Sequence, residues 1–150
     1  MDGSQQPMVP DAPLISVSMV TYQHAHYIRQ ALDSVLMQRT EFRVEICIGE
    51  DGSTDGTREI CQEYARREPG RIRLFLRDRD DPARSRYHAP YMHNWIETLR
   101  ACNGEFIALL DGDDFWIDDL KLAKQIRLLH DHREWSCCGH HAVRFVEDSP

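Results

Sequence analysis

The 150-residue sequence lacks the features that mark several common classes of protein. No apolar run is long enough to span a bilayer, and residues 1–12 do not show the basic and then apolar order of a secretory signal. The Gly-x-x-x-x-Gly-Lys phosphate-binding loop is also missing, which argues against a phosphoryl- or nucleotidyl-transfer enzyme built on that loop. We therefore predict a cytoplasmic protein, and peripheral attachment at the inner face of the membrane stays an open alternative.

Cysteine and histidine are present but lack the spacings of metal sites. The cysteines number five, an odd count without any Cys-x-x-Cys pair, so neither a disulfide framework nor a zinc ribbon is predicted. We expect reduced thiols that are mostly buried as small apolar side chains. The histidines lack the i, i+4 spacing of a helical zinc pair, and we predict no histidine-based metal site.

Basic residues are outnumbered by acidic ones, 18 to 25, and the formal net charge is −7. This balance argues against a nucleic-acid duplex or an anionic membrane as the main partner. The hydrophobic fraction of 41% and the charged fraction of 29% are those of an ordinary globular protein. At this length we expect one domain with its own core.

Residues 1–13 contain three prolines and predict a flexible leader, which leaves residues 14–150 as the folded domain. Beyond the leader, apolar and β-branched segments alternate with segments of helical periodicity. The predicted strands are 14–22, 42–49, 71–76, 105–110 and 135–146, and the predicted helices are 27–38, 55–67, 91–102 and 119–132. This alternation predicts an α/β fold with a mostly parallel sheet and flanking helices.

Polar clusters follow three of the predicted strands. "TYQH" comes after the first strand, "EDGSTDGT" after the second and "DGDD" after the fourth. In parallel sheets of this kind, ligands bind beyond the carboxyl ends of the strands. The three clusters therefore predict one shared binding site.

The "DGDD" cluster places Asp111, Asp113 and Asp114 directly after an apolar strand. Their charges repel one another strongly near low-dielectric material unless a cation or hydrogen-bond donors neutralise them. Mg²⁺ or Mn²⁺ prefers oxygen ligands and is commonly held by one or two carboxylates together with water and phosphate oxygens. The structural alternative is an acidic turn that caps the next helix, but Asp118 or Asp119 is better placed for that task.

The "EDGSTDGT" cluster begins with Glu50 and Asp51 at the end of the second predicted strand. Carboxylates at such a position can accept hydrogen bonds from a base N–H or from ribose hydroxyls. The structural alternative is a strand-to-helix loop capped by Thr54 or Asp55. Capping does not need Glu50 or Asp51, which favours a binding role for these two acids.

Three segments together resemble the first half of a family 2 glycosyltransferase with the GT-A fold, across roughly residues 14 to 146. They are "ISVSMVTYQHAHYIRQALDSVLMQ", "EICIGEDGSTDGTREI" and "ACNGEFIALLDGDDFWIDDLKLAKQ". The resemblance implies the Rossmann-like nucleotide-binding half of that fold. It also implies a nucleotide-diphosphate-sugar donor, most simply a UDP-sugar, with Mn²⁺ or Mg²⁺ as cofactor and inversion at the anomeric carbon.

The resemblance also implies roles for particular residues. Thr21 and Tyr22 would line the nucleotide pocket, with Tyr22 packed beside the base. Glu50 and Asp51 would recognise base and ribose, and Asp111 would also contact the nucleotide. Glu50 stands where many relatives have Asp, and the neighbouring "TYQH" has Gln where Asn is usual.

The metal motif Asp-x-Asp matches Asp111 and Asp113. The resemblance implies that Asp113 contacts the metal directly, with Asp114 beside it. The metal would bridge the diphosphate and stabilise the charge of the leaving group.

Family members continue past this point into an acceptor-binding region that supplies a carboxylate general base. After Asp119 the sequence offers only four acids, so no catalytic residue is assigned: Asp131, Glu134, Glu147 and Asp148. We therefore expect a truncated, donor-binding half that alone is inactive or only hydrolyses donor. The alternative is a catalytically idle nucleotide-sugar-binding or assembly module. A saccharide or lipid-linked acceptor is the implied second substrate, and an exposed apolar edge would favour a homo-oligomer.

A basic segment follows the third predicted strand, with arginines interleaved among acids. Arg77, Arg79, Arg84 and Arg86 could close over a diphosphate, since arginine offers forked donors to phosphate oxygens. Because Asp78, Asp80 and Asp81 lie between them, we favour a solvated mixture of charges in a mobile loop.

Overall fold

The computed structural model describes residues 14–145, in which strands and helices alternate along the chain. In chain order the elements are β1 (Leu14–Thr21), α1 (Ile28–Leu36), β2 (Arg43–Glu50), α2 (Thr57–Arg67), β3 (Ile72–Leu76), a 3₁₀ turn (Pro82–Arg86), α3 (Pro90–Ala101), β4 (Phe106–Asp111) and α4 (Lys121–Asp131). The predicted leader, residues 1–13, lies outside the described residues. No helix within residues 14–145 is both long enough and apolar enough to cross a bilayer.

The sheet has four strands in the order β3-β2-β1-β4, and each neighbouring pair is parallel. This confirms the predicted α/β class with a parallel sheet and flanking helices. The register aligns Thr21 of β1 with Glu50 of β2, and Val20 with Asp111 of β4. The polar clusters after β1, β2 and β4 therefore meet where the carboxyl ends of these strands lie side by side.

The two faces of the sheet differ because alternate residues of each strand point to opposite sides. One face carries Ile15, Val17 and Met19 of β1, which pack with the apolar side of α1 and with α2 in the main core. The other face is more polar and is covered by α3. At Gly49 of β2 a side chain would collide with Thr98 and Asn94 of α3, so glycine permits this close approach.

The predicted strand at 135–146 is wrong for the part that the structure describes, because residues 135–145 form no strand. Most side chains in this segment are exposed, and none of its backbone pairs with β4. A strand forms only where a neighbouring edge and a buried face accept it, and a short β-branched run does not specify this by itself. Ile107 and Leu109 of the edge strand β4 stay 44% and 54% exposed.

The cysteines are free thiols, as the sequence predicts. Cys47 and Cys61 are buried, Cys102 and Cys138 are partly buried, and Cys137 is exposed. Burial raises the pKa of the Cys61 thiol to about 12, which makes it an inert core residue.

Candidate functional site

A pocket of about 600 Å³ opens at the carboxyl edge of the sheet. Its walls come from the end of β1, the residues that follow β2 and β4, and the first two turns of α3: Val20, Thr21, Tyr22, His24, Asp51, Tyr91, Met92, Asn94, Trp95, Asp111 and Asp113. Five of the site residues predicted from the sequence thus line one cavity: Thr21, Tyr22, Asp51, Asp111 and Asp113. A larger cavity, about 830 Å³, lies between Phe106 and α4, and none of the predicted site residues lines it.

Glu50 is close to this pocket but does not line it. Its side chain is fully buried, and its carboxylate accepts hydrogen bonds from Ser53 N at 2.6 Å and Arg58 Nε at 2.5 Å. Arg58 also donates to the carbonyl of Arg77 at 2.7 Å, which ties α2 to the end of β3. Glu50 therefore shapes the loop that follows β2, where Gly52 adopts a left-handed φ of 80°.

Asp51 lines the pocket and is held by two arginines from the segment after β3. Arg84 donates from Nη1 to Oδ1 at 2.7 Å and from Nη2 to Oδ2 at 2.8 Å. Arg79 Nη1 lies 3.1 Å from Oδ2. The bonds to Asp51 raise the pKa of Arg84, a buried residue, above its usual value. The paired guanidinium fixes the orientation of the carboxylate.

The favoured interpretation of this segment as a solvated mixture of charges is wrong for its inner arginines. Arg84 is buried against Asp51, and Arg77 Nε donates to Asn94 Oδ1 at 2.8 Å. The reason is the burial of Asp51, since a carboxylate away from water requires a cationic partner. Asp81 behaves as a local cap, because its Oδ1 accepts from Ala83 N at 2.8 Å.

Tyr22 lies beside Asp51, and its side chain is partly exposed to solvent. The ring is contacted by the guanidinium of Arg79, whose central carbon lies 4.0 Å from the ring centroid. Thr21, one residue earlier, is buried, and its hydroxyl lies 3.3 Å from His24 Nδ1. An aromatic face and a carboxylate thus meet at this end of the pocket, and the Thr21 hydroxyl lies between this end and Gly112.

The opposite end of the pocket carries Asp111 and Asp113. Burial, and then the charges of Asp113 and Asp114, raise the pKa of the Asp111 carboxyl, whereas His24 acts in the opposite direction. His24 Nε2 lies 3.8 Å from Asp113 Oδ2. The residue between the two acids, Gly112, packs so close to β1 that a Cβ would lie 2.6 Å from Thr21 Oγ1.

Asp114 does not join the other two acids in the pocket. It lines an adjoining cavity of about 510 Å³ together with Trp116 and Lys121. Within residues 14–145, no group of three or more His, Cys, Asp or Glu side chains is arranged to hold a metal ion. Asp111 and Asp113, which line the same pocket, are the two acids that could hold a hard divalent cation, and such an ion would take its remaining oxygen ligands from phosphate and water.

Several pocket residues come from α3 and were not predicted from sequence: Tyr91, Met92, Asn94 and Trp95. Asn94 is buried and donates from Nδ2 to the carbonyl of Gly49 at 2.8 Å. The direction of the connection from β3 to β4 could have predicted them. A helix that connects two parallel strands begins at the carboxyl edge, so its first turns face the ligand site.

Comparisons with known proteins agree with this fold. The model of glycosyl transferase family 2 matches residues 16–150. Rv1520 of Mycobacterium tuberculosis, an uncharacterized protein, is 42% identical over 134 residues, which cover 89% of this chain and 36% of that protein. The chain therefore spans little more than a third of the length of this curated relative.

Solved structures show the same fold. The mannosyltransferase PcManGT from Pyrobaculum calidifontis, in complex with GDP-Man and Mn²⁺, matches with a TM-score of 0.62 and 26% identity over 79% of this chain and 32% of that one. S. aureus TarS in complex with UDP matches with a TM-score of 0.60 and 23% identity over the same shares. The matched part has the GT-A fold expected from the sequence.

Proposed function

We propose that this chain, which belongs to glycosyl transferase family 2, binds the nucleoside diphosphate of a sugar donor for an inverting, metal-dependent glycosyltransferase. One observation carries the proposal: a single pocket holds Tyr22 and Asp51 at one end and Asp111 and Asp113 at the other. The first pair suits a planar base that donates an N–H, and the second suits a cation bound to a diphosphate.

The residues of the pocket divide the work of binding the donor. Asp51 accepts a hydrogen bond from the base, and the exposed part of the Tyr22 ring packs against it. Asp111 and Asp113 would hold Mn²⁺ or Mg²⁺, and the metal, when bound, supplies a Lewis acid that stabilises the charge of the departing diphosphate. The complex of PcManGT with GDP-Man and Mn²⁺ supports this assignment by analogy.

The expected contact of Glu50 with base or ribose stays a prediction. Its carboxylate is fully buried and bonded to Arg58 and Ser53, which supports an indirect role. By fixing the loop after β2, Glu50 positions the neighbouring Asp51.

Binding measurements separate the two ends of the pocket. We expect UDP or GDP to bind with Mn²⁺ at least tenfold more tightly than with a chelator, and Asp111→Asn to abolish this difference. Asp51→Asn should instead weaken uridine binding without metal, by about 1.5–3 kcal/mol, since a charged hydrogen-bond partner is lost. Calorimetry for the nucleotides and NMR titration for uridine give these values. Equal affinity of the parent with and without metal would refute the metal bridge.

Transfer itself is proposed for the complete enzyme rather than for this chain alone. Asp131 lies at the end of α4, next to Arg127 and His130, and Glu134 contacts His132. Neither lines the donor pocket, and the acids at 147 and 148 lie outside the described residues. A general base contributes typically ~10²–10⁴-fold, so acceptor-dependent transfer should be weak while slow donor hydrolysis remains.

The alternative, an idle nucleotide-sugar-binding or assembly module, is favoured by the same observation, that neither Asp131 nor Glu134 lines the pocket. Donor turnover with and without a panel of sugar and lipid-linked acceptors distinguishes the two. Metal-dependent hydrolysis that Asp111→Asn removes supports the enzyme, and binding without any turnover supports the module. Transfer at a normal enzymatic rate would place the base inside this chain.

A further inference from the structure

We propose that Arg79, which lies beside the donor pocket, takes the place of a nucleobase against Tyr22 and Asp51 in the free protein, and that a base must replace its contacts with the Tyr22 ring and the Asp51 carboxylate in order to bind. This inference rests on the proposed function and specifies the donor further. The admitted bases are planar and donate an in-plane N–H to Asp51, as uracil and guanine do through their ring N–H groups. Cytosine presents a ring nitrogen acceptor at the corresponding position and is excluded.

Two contacts of Arg79 are those expected for a bound base, and a third, longer one joins its Nη1 to the Asp51 carbonyl at 3.5 Å. Its guanidinium lies over the Tyr22 ring at 4.0 Å from the centroid. Its Nη1 lies 3.1 Å from Oδ2 of Asp51, the carboxylate predicted to recognise the base. A guanidinium is planar and carries N–H donors in its plane, so it reproduces both the stack and the hydrogen bond of a base such as uracil.

Arg79 is held weakly enough to be displaced. Its side chain is 40% exposed, whereas that of Arg84, the other partner of Asp51, is 9% exposed. Cation–π contacts and ion pairs near solvent are individually weak. The Arg84 pair is bidentate and buried, with both donor distances below 3 Å. A base can therefore exchange with Arg79 while Arg84 stays in place.

Arg84 keeps Asp51 competent once Arg79 has left. An ionised carboxylate has about four acceptor sites. Arg84 uses one site on each oxygen, and Arg79 uses a further site on Oδ2. When Arg79 leaves, that site is free to accept an N–H from the base, and the carboxylate is still ionised and oriented by Arg84.

The test is the affinity of Arg79→Ala for uridine without metal, measured by NMR titration. Removing the competitor should tighten uridine binding by about three- to tenfold, the factor that corresponds to the weak cation–π and ion-pair interactions of Arg79. Uridine lacks phosphate, so the loss of positive charge has no diphosphate to act on. Arg79→Lys, which keeps the charge but not the plane, should fall between the parent and Arg79→Ala.

Arg67→Ala is a matched control. Arg67 also lies over a tyrosine, 5.0 Å from the ring centroid of Tyr64, and also pairs with a carboxylate, that of Glu63 at 3.7 Å. Its partners Tyr64 and Glu63 belong to α2 and do not line the donor pocket, unlike Tyr22 and Asp51, so its substitution should leave uridine affinity unchanged. Cytidine should bind more weakly than uridine to the parent and to every variant.

The outcomes separate this inference from the proposed function. If the parent binds uridine and Arg79→Ala binds it more weakly, Arg79 contacts the bound base and the inference is overturned while the function stands. Unchanged affinity also overturns it, because a displaced group must cost binding energy. If neither uridine nor UDP with Mn²⁺ binds to any variant, the proposed function fails as well.

Discussion

The two ends of the donor pocket both carry carboxylates at strand ends, but the protein compensates the charge at only one of them. At the nucleoside end, Glu50 and Asp51 are buried and paired with Arg58, Arg84 and Arg79. At the diphosphate end, the one basic side chain within 4 Å of the three aspartates, among residues 14–145, is His24. The difference teaches that similar acids at neighbouring strands are treated differently: one set is neutralised by arginines within the fold, and the other is left without such partners.

Burial explains why the two ends differ. An ionised group removed from water is stable only when it is paired and hydrogen-bonded, so the buried acids acquired arginine partners within the fold. Asp113 and Asp114 are exposed and Asp111 is only partly removed from water, so the three can remain ionised without such partners. A cation bound in the pocket, as proposed above, would relieve their mutual repulsion.

The largest expected effect comes from removing the compensation at the nucleoside end. Arg84→Met should lower the free energy of unfolding by about 3–5 kcal/mol, because it leaves the buried Asp51 without its bidentate partner. Urea denaturation measures the change. Combining Arg84→Met with Asp51→Asn should recover much of the loss, since no charge is then left uncompensated. Arg67→Met, which breaks an exposed pair, should cost at most about 1 kcal/mol.

A loss below about 1 kcal/mol for Arg84→Met would contradict the comparison, because it would mean that Arg79 or water suffices for Asp51. The two ends would then differ in geometry but not in energetics.

Glu50→Gln should have an intermediate effect. The substitution removes the charge that pairs with Arg58 but keeps the size of the side chain, and we expect a loss of about 1.5–3 kcal/mol in unfolding free energy. Hydrogen exchange at the Ser53 amide, which donates to Glu50 Oε1, should accelerate in parallel. Asp114→Asn at the other end is the matched substitution and should leave stability nearly unchanged; an equal loss would remove the distinction.

Much of the fold and part of the pocket could be predicted from the sequence. Period-2 apolar segments and helical repeats are local properties, so the order of elements and the meeting of three polar clusters at one edge followed from them. The predicted strand at 135–146 failed because strand formation depends on a partner edge, which the segment does not itself contain.

The arginine partners of Asp51 could not be predicted in the same way. Arg84 lies 33 positions along the chain from Asp51, and its segment has no periodicity that reports burial. Interleaved Asp and Arg residues have the same composition whether they are solvated or folded inward. The choice depends on whether a buried carboxylate is within reach, which only the three-dimensional structure reveals.

The smallest expected effect is a gain in stability at the end of the pocket that carries Asp111, and its size depends on pH. The unfolded chain titrates Asp111 near about 3.9, whereas the pKa of its carboxyl in the folded protein is raised by burial and by Asp113 and Asp114. The folded state therefore holds the proton more tightly, and the stability contributed by Asp111 is complete below the unfolded pKa and lost as pH rises through the folded pKa. Asp111→Asn removes this loss, so with a chelator present it should exceed the parent by about 0.5 kcal/mol at pH 7, a small value because solvent screens the exposed side chain. The advantage should vanish below about pH 4.

Asp118→Asn is the control of opposite sign, because the hydrogen bonds from Lys124 and from the Leu120 amide lower the pKa of Asp118. That variant should be less stable than the parent at neutral pH and converge with it as pH falls, and parallel profiles for the two variants would show that the acids of this segment are not distinguished by their partners.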